Sequence, residues 1–339
     1  MHSKIPETTT VGSYPVPLWL RTYSTKDNLR DAIMVVLKTQ ENAGLDLLVD
    51  GELYRWDINH AETNGMIDYF IGPMSGIRTS LTRKELDRYR EQKGMAYRHE
   101  PAGIVVGKLG PGNLNLLKDY QFVRQLCRNP LKFTITSPYM LARVLSNDYY
   151  SAFSDLVLAI ADVLAEQLIG IDADVIQIDE ANLTGHPEDG VIAAEGINRA
   201  FKHVKGRKAV HLCFGNYGGQ TVQSGTYDAL IGFINSLSCD HVVLEMTRRP
   251  QGDERILHEI KPEIGVGVGV VDIKDNQVES PDIIAKRIES AAKICGQERI
   301  HYVHPDCGMW MLPRSVADEK MRALVRGRDL FVGRKTNPD

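Results

Sequence analysis

Three residues of this 339-residue chain are spaced for metal or thiol chemistry. His211 and Cys213 lie two apart in a β-branched apolar stretch, and Cys307 sits in the turn Pro305-Asp306-Cys307-Gly308. Residues i and i+2 of a strand share a face, so His211 and Cys213 project together. Glu245, following the apolar run His241 to Leu244, adds a carboxylate. One nitrogen, two sulfurs and one carboxylate suit Zn2+ better than magnesium or calcium, with ligands about 2.0–2.3 Å from the ion. If an incoming sulfur displaced or joined Glu245, the site would be catalytic and would hold a substrate thiol as its thiolate. His-x-Cys alone reads better as a buried apolar strand with a satisfied histidine; Glu245 and Cys307 at matching strand ends bring the metal reading level with it.

The other polar residues that close apolar runs are Ser13, Asp50, Glu52, Asp179, Glu180, Asp272, Lys274 and Asp306. Two carboxylates at one mouth suit a substrate ammonium, and Ser13 with nearby amides suits its carboxylate. Purely structural roles compete with this: Glu52 pairing with Arg55 on its own loop, and Asp179 or Glu180 pairing with an arginine across the molecule.

These residues need a frame that brings strand ends together. Eight short, mostly apolar runs read as strands: Thr8 to Tyr14, Asp46 to Gly51, Lys132 to Ser137, Asp174 to Ile178, Ala209 to Phe214, His241 to Leu244, Ile264 to Val271 and Ile300 to Val303. Near-continuous hydrophobicity is the pattern of parallel strands covered on both faces. Helical spacing fills Asn28 to Ala43, Ser151 to Leu168, Ala193 to Val204, Tyr227 to Leu237, Pro281 to Ile294 and Ser315 to Gly327. The expected fold is α/β, a single (β/α)8 TIM barrel over residues 1–339, whose reactive groups gather at the C-terminal strand ends. An open doubly wound sheet is disfavoured because no G-x-G-x-x-G turn follows the first run. About eighty residues separate Glu52 from Lys132, too many for one crossover, so an insertion at about 60–125, a helix and a hairpin, is expected after strand two.

Composition narrows the function classes. Forty Lys and Arg against 44 Asp and Glu give a net charge of −4, no excess for a phosphate backbone, so a nucleic-acid partner is not expected. The most apolar stretch is interrupted by Asp162 and Glu166, too polar for a membrane span. Met1 to Thr10 lacks the basic and apolar parts of a leader, and five scattered cysteines make no disulfide framework; both point to the cytoplasm.

The segments Thr8-Thr9-Thr10-Val11-Gly12-Ser13-Tyr14-Pro15, Asp50-Gly51-Glu52, Gln177-Ile178-Asp179-Glu180, His211-Leu212-Cys213, Leu244-Glu245 and Pro305-Asp306-Cys307-Gly308 occur in the order seen in cobalamin-independent methionine synthases. The chain resembles a short, single-barrel form of that family, matching the catalytic C-terminal half of the two-barrel enzymes. The resemblance implies His211, Cys213, Glu245 and Cys307 as zinc ligands, and Gly12, Ser13, Glu52 and Asp179 as the grip on homocysteine. Two departures stand out. The family's Asp-Ile-His segment reads Asp272-Ile273-Lys274, which makes Lys274, with Asp272, the candidate for proton transfer. A lysine with its ordinary pKa near 10.4 is a poor acid at neutral pH. The tryptophan on which the family stacks its folate is absent from Ser137-Pro138-Tyr139-Met140-Leu141-Ala142-Arg143. Both departures favour methylcobalamin, free or on a corrinoid protein, over methyltetrahydrofolate triglutamate, because a cobalt leaving group needs no proton. Two alternatives remain open. One is a zinc-dependent thiol alkyltransferase like epoxyalkane:coenzyme M transferase; the other is a non-catalytic corrinoid- or metal-binding barrel.

Overall fold

The computed structural model describes residues 5–60, 63, 65–91, 100–216, 221 and 223–334. Eight parallel strands form one sheet: β1 Glu7–Thr8, β2 Leu48–Val49, β3 Leu131–Thr136, β4 Val175–Glu180, β5 Arg207–Leu212, β6 His241–Leu244, β7 Gly265–Val271 and β8 Ile300–Pro305. Each strand from β2 onward pairs with the next, and β8 pairs with β1. A parallel bridge between Thr9 and Leu47 joins β1 to β2, so the curled sheet meets itself as a TIM-like barrel. Its first two strands are shorter than the sequence suggests. Beyond Thr9 the carbonyls of Thr10 and Val11 accept hydrogen bonds from the Lys132 and Gln177 side chains rather than from a neighbouring strand.

Six interior side chains, Val11, Leu47, Val175, Ala209, Val243 and Tyr302, form a small apolar cluster separate from the larger core under the helices. Two residues further along, the inward face turns polar on β4, from Val175 to Gln177 and Asp179, and on β5, from Ala209 to His211 and Cys213. The bottom of the barrel is therefore an apolar plug and its C-terminal end a floor of buried polar groups. Glycine lets β7 sit against that floor: a Cβ at Gly269 would fall 2.3 Å from Asp306 Oδ1.

The outer layer includes helices Lys26–Ala43, Phe153–Gln167, Gly190–Ala200, Pro281–Cys295 and Arg314–Phe331. The serine start expected at Ser151 is displaced. Ala152 holds the cap position and donates its N–H to Asp155 at 3.1 Å, so an acidic side chain in the first turn does the capping.

Between β2 and β3 lie helix Arg83–Glu91 and the antiparallel pair Ser75–Arg78 and Gly103–Gly110. This small sheet takes a third strand, Leu145–Asn147, from beyond β3, so the segment is not self-contained. Residues 92–99 of its charged run lie outside the described residues. Among the described residues no helix is long and apolar enough to cross a membrane.

Candidate active site

His211 ends β5 on its inward face and is buried. Its Nδ1 lies 2.9 Å from the Val243 carbonyl, which fixes Nδ1–H as donor and makes Nε2 the nitrogen open to a metal that displaces its proton. That Nε2 is buried with no hydrogen-bond partner among the described residues. Cys307 Sγ lies 3.8 Å from Cys213 Sγ, and the three ligand atoms are within 4.8 Å of one another. Two sulfurs about 2.3 Å from one tetrahedral zinc would be about 3.8 Å apart. The orphaned nitrogen, the sulfur separation and the soft donor set all fit zinc. Burial opposes charging His211, but the Cys213 sulfur and Asp179 overcome it and push its pKa up to about 9. The Cys307 thiol hydrogen-bonds Cys213 and holds it well below the ordinary thiol range, while Cys307 itself is held well above.

Glu245 is buried at the end of β6 but lies outside that three-residue cluster. Its Oε1 accepts Lys274 Nζ at 2.5 Å and its Oε2 accepts the Phe214 amide at 3.2 Å. Lys274 is therefore committed to an ion pair with only 4% of its side chain exposed. Asp272 receives Arg248 Nε at 2.6 Å and the Lys274 amide at 2.8 Å, which makes it an organiser of the β7 loop. Sequence reasoning missed Tyr227 as a support: its hydroxyl accepts the Glu245 N–H at 3.0 Å and lies 3.1 Å from the Leu212 carbonyl. Asp306 gathers the amides of Met246 and Thr247 and the Thr247 hydroxyl. Burial, then the Glu245 charge, pushes Asp306 up to about 7.

The other side of the mouth carries hard charges. Glu52, with φ of 60°, is the one non-glycine at positive φ among the described residues, a strained conformation of the kind that clusters at functional sites. Its Oε1 accepts the Thr134 hydroxyl at 2.5 Å and pairs with Arg55 at 3.2 Å, as the structural reading of Glu52 anticipated. Arg55 is itself buried among Tyr54, Tyr69 and Phe70, at 5.6, 5.7 and 5.1 Å from their ring centres. A Cβ on Gly12 would fall 2.2 Å from Glu52 Oε1, so only glycine lets the β1 loop pass this carboxylate. Ser13 accepts the Met309 amide at its carbonyl, 2.9 Å, which ties the β1 and β8 loops together. Asp179 retains 8% exposure and takes Gln177 Nε2 at 2.7 Å; burial and then the Glu52 charge raise its pKa.

One imidazole and two thiols, buried but for the partly exposed Cys307, face carboxylates across the C-terminal mouth of a TIM-like barrel, a donor set that could hold a soft metal. Residues 6–327 match the family described as cobalamin-independent synthase, catalytic domain, and the chain belongs to that family. A methionine synthase from Thermococcus kodakarensis is 30% identical, over 97% of this chain and 94% of its own length. One from Pyrococcus abyssi is 29% identical over 96% and 93%. The fold matches the structure of a B12-independent methionine synthase from a Shewanella species, with TM-score 0.79, 22% identity and coverage of 97% and 98%.

Proposed function

We propose that the protein is a zinc-dependent methyltransferase that converts the thiol of homocysteine to the thioether of methionine. The observation that carries this is the orphaned His211 Nε2 beside the Cys213 and Cys307 sulfurs, in a chain of this family. His211, Cys213 and Cys307 would hold Zn2+, with Glu245 as the exchangeable fourth ligand. Bound there, zinc would lower the pKa of an incoming thiol so that its sulfur reacts as thiolate at neutral pH.

The residues around it divide the remaining work. Glu52 and Asp179 face the substrate ammonium, and the Gly12–Ser13 backbone faces its carboxylate. Sulfur forms the new bond to the methyl carbon as the bond from methyl to its carrier breaks, and the electron pair leaves on the carrier. Lys274 is the candidate proton donor by position, yet its ammonium is spent on Glu245, and Asp272 is spent on Arg248. That arrangement supports methylcobalamin, free or on a corrinoid protein, as the donor, since its leaving group takes no proton. Lys274 then keeps the Glu245 carboxylate neutralised whenever it is not on the metal.

The carboxylates at the mouth disfavour a thiol bearing a sulfonate in place of an amino acid. The same reading makes the chain one catalytic domain with residues 60–125 as its insertion, working in the cytoplasm.

The test offers zinc-loaded protein homocysteine with methylcobalamin and with methyltetrahydrofolate in parallel. Methionine from methylcobalamin alone is expected. Methionine from the folate would return Lys274 to the role of acid, and none from either donor would refute methylation by these free donors.

A further inference from the structure

Lys132 begins the inward face of β3 and is buried to 1% exposure, with no role in the chemistry described above. Its Nζ donates to the Thr10 carbonyl at 2.5 Å and to Gln177 Oε1 at 2.8 Å. Gln177 in turn donates from Nε2 to the Val11 carbonyl at 2.9 Å and to Asp179 Oδ1 at 2.7 Å. A glutamine amide has one acceptor oxygen and two N–H donors, and all are used here. Rotating that amide by half a turn would point its oxygen at the Val11 carbonyl and the Asp179 carboxylate. It would also point its N–H groups at an ammonium. Lys132 therefore sets which way Gln177 faces, and Gln177 sets where Asp179 points.

The same two side chains hold the carbonyls of Thr10 and Val11, the residues that lead directly into Gly12 and Ser13. One buried pair thus ties together both parts of the mouth assigned to the amino-acid end of the substrate. A lysine this deep is retained at a large desolvation penalty, which hydrogen bonds and nearby carboxylates must offset. Burial pulls the Lys132 pKa down to about 7, and the Asp179 and then the Glu52 charge keep it from falling further, while the Thr10 carbonyl and Gln177 Oε1 hold its Nζ in place.

We propose that Lys132 and Gln177 are positioning residues that make the site selective for a thiol carrying an α-amino acid, by aiming Asp179 at its ammonium and fixing the β1 loop at its carboxylate. This rests on the homocysteine reading above and adds the origin of its selectivity. The hydrogen bonds of the pair go to Thr10, Val11 and Asp179 and not to His211, Cys213 or Cys307, so it acts on recognition and leaves the thiol chemistry to the other side of the mouth.

The experiment is calorimetric titration of zinc-loaded protein with homocysteine and with 4-mercaptobutyrate, which keeps the thiol and carboxylate but lacks the amine. The proteins are wild type, Gln177→Met, Lys132→Met and the double variant, each checked for zinc content and thermal unfolding. Wild type is expected to prefer homocysteine. Each single variant is expected to lose about 10-fold or more in homocysteine affinity, the effect of one hydrogen bond to a charged group, with a smaller loss for 4-mercaptobutyrate, which shares only the carboxylate contact. Because Lys132 acts partly through Gln177 and partly on Thr10, the loss in the double variant should exceed that of either single variant but fall short of their sum. Should one single variant fail to fold, the other decides. Retained preference for homocysteine, or equal loss of both thiols, would overturn the proposal while leaving the homocysteine reading intact. Failure of wild type to bind homocysteine would remove that reading and the proposal with it.

Discussion

On the β5, β6 and β8 side of the barrel mouth, two sulfurs and an imidazole nitrogen with no hydrogen-bond partner among the described residues lie within 4.8 Å of one another. On the β1 to β4 side, Glu52, Arg55, Lys132 and Asp179 form a buried mesh of charges in which every group named has a hydrogen-bond or ion-pair partner. The first side has donors left over and fits a soft ion. The second is already balanced and fits a small zwitterion. On the proposed function, the contrast divides the work: the first side would activate the sulfur end of homocysteine and the second would hold its amino-acid end.

The largest effect should come from breaking the soft side. Cys307→Ser and Cys213→Ser should each lose zinc and reduce methionine formation by well over about 100-fold, the upper effect of merely disturbing a ligand's support. Metal content and turnover check this together. Lys274→Met sharpens the comparison, because it leaves Glu245 buried without its partner. Breaking such a pair destabilises by about 3–5 kcal/mol. Zinc that takes up the carboxylate should restore most of that, so the gap in thermal stability between metal-free and zinc-loaded protein should widen.

Variants of the charged side should spare the metal. If Glu52 and Asp179 hold the ammonium as proposed, Asp179→Asn and Glu52→Gln should raise KM for homocysteine about 10- to 100-fold at unchanged zinc content. Steady-state kinetics separates this from the cysteine variants, which act on kcat.

The smallest effect concerns Asp50, whose carboxylate accepts the Glu52 amide at 2.7 Å. Burial, opposed by the Arg55 charge, pushes it up to about 6 from 3.8. Between those values the folded protein binds more protons than the unfolded chain, so stability should fall as pH rises from about 4 to about 6. Asp50→Asn keeps the acceptor and removes this slope, worth about 1 kcal/mol within a ceiling of ~3. Urea unfolding across that range measures it.

The soft side was legible in the sequence because its types are rare and its spacing simple. His211 and Cys213 are two apart on a strand, and Cys307 follows another strand end. The charged side was legible only in part. Glu52 and Asp179 stood out as strand-end acids, but Lys132 and Gln177 were absorbed into runs read as apolar. The signal was present as alternation: in Lys132-Phe133-Thr134-Ile135-Thr136 the polar residues alternate with Phe133 and Ile135, which belong to the outer core. A period of two inside a barrel strand marks a polar interior face. The Lys274 ion pair had no such signal, since Glu245 lies on a different strand and only the fold brings them together.

The most direct test of zinc-mediated thiol activation is X-ray absorption at the zinc edge, with and without homocysteine. The prediction is two sulfur ligands, from Cys213 and Cys307, rising to three when homocysteine binds. An unchanged sulfur count on saturation with homocysteine would contradict it.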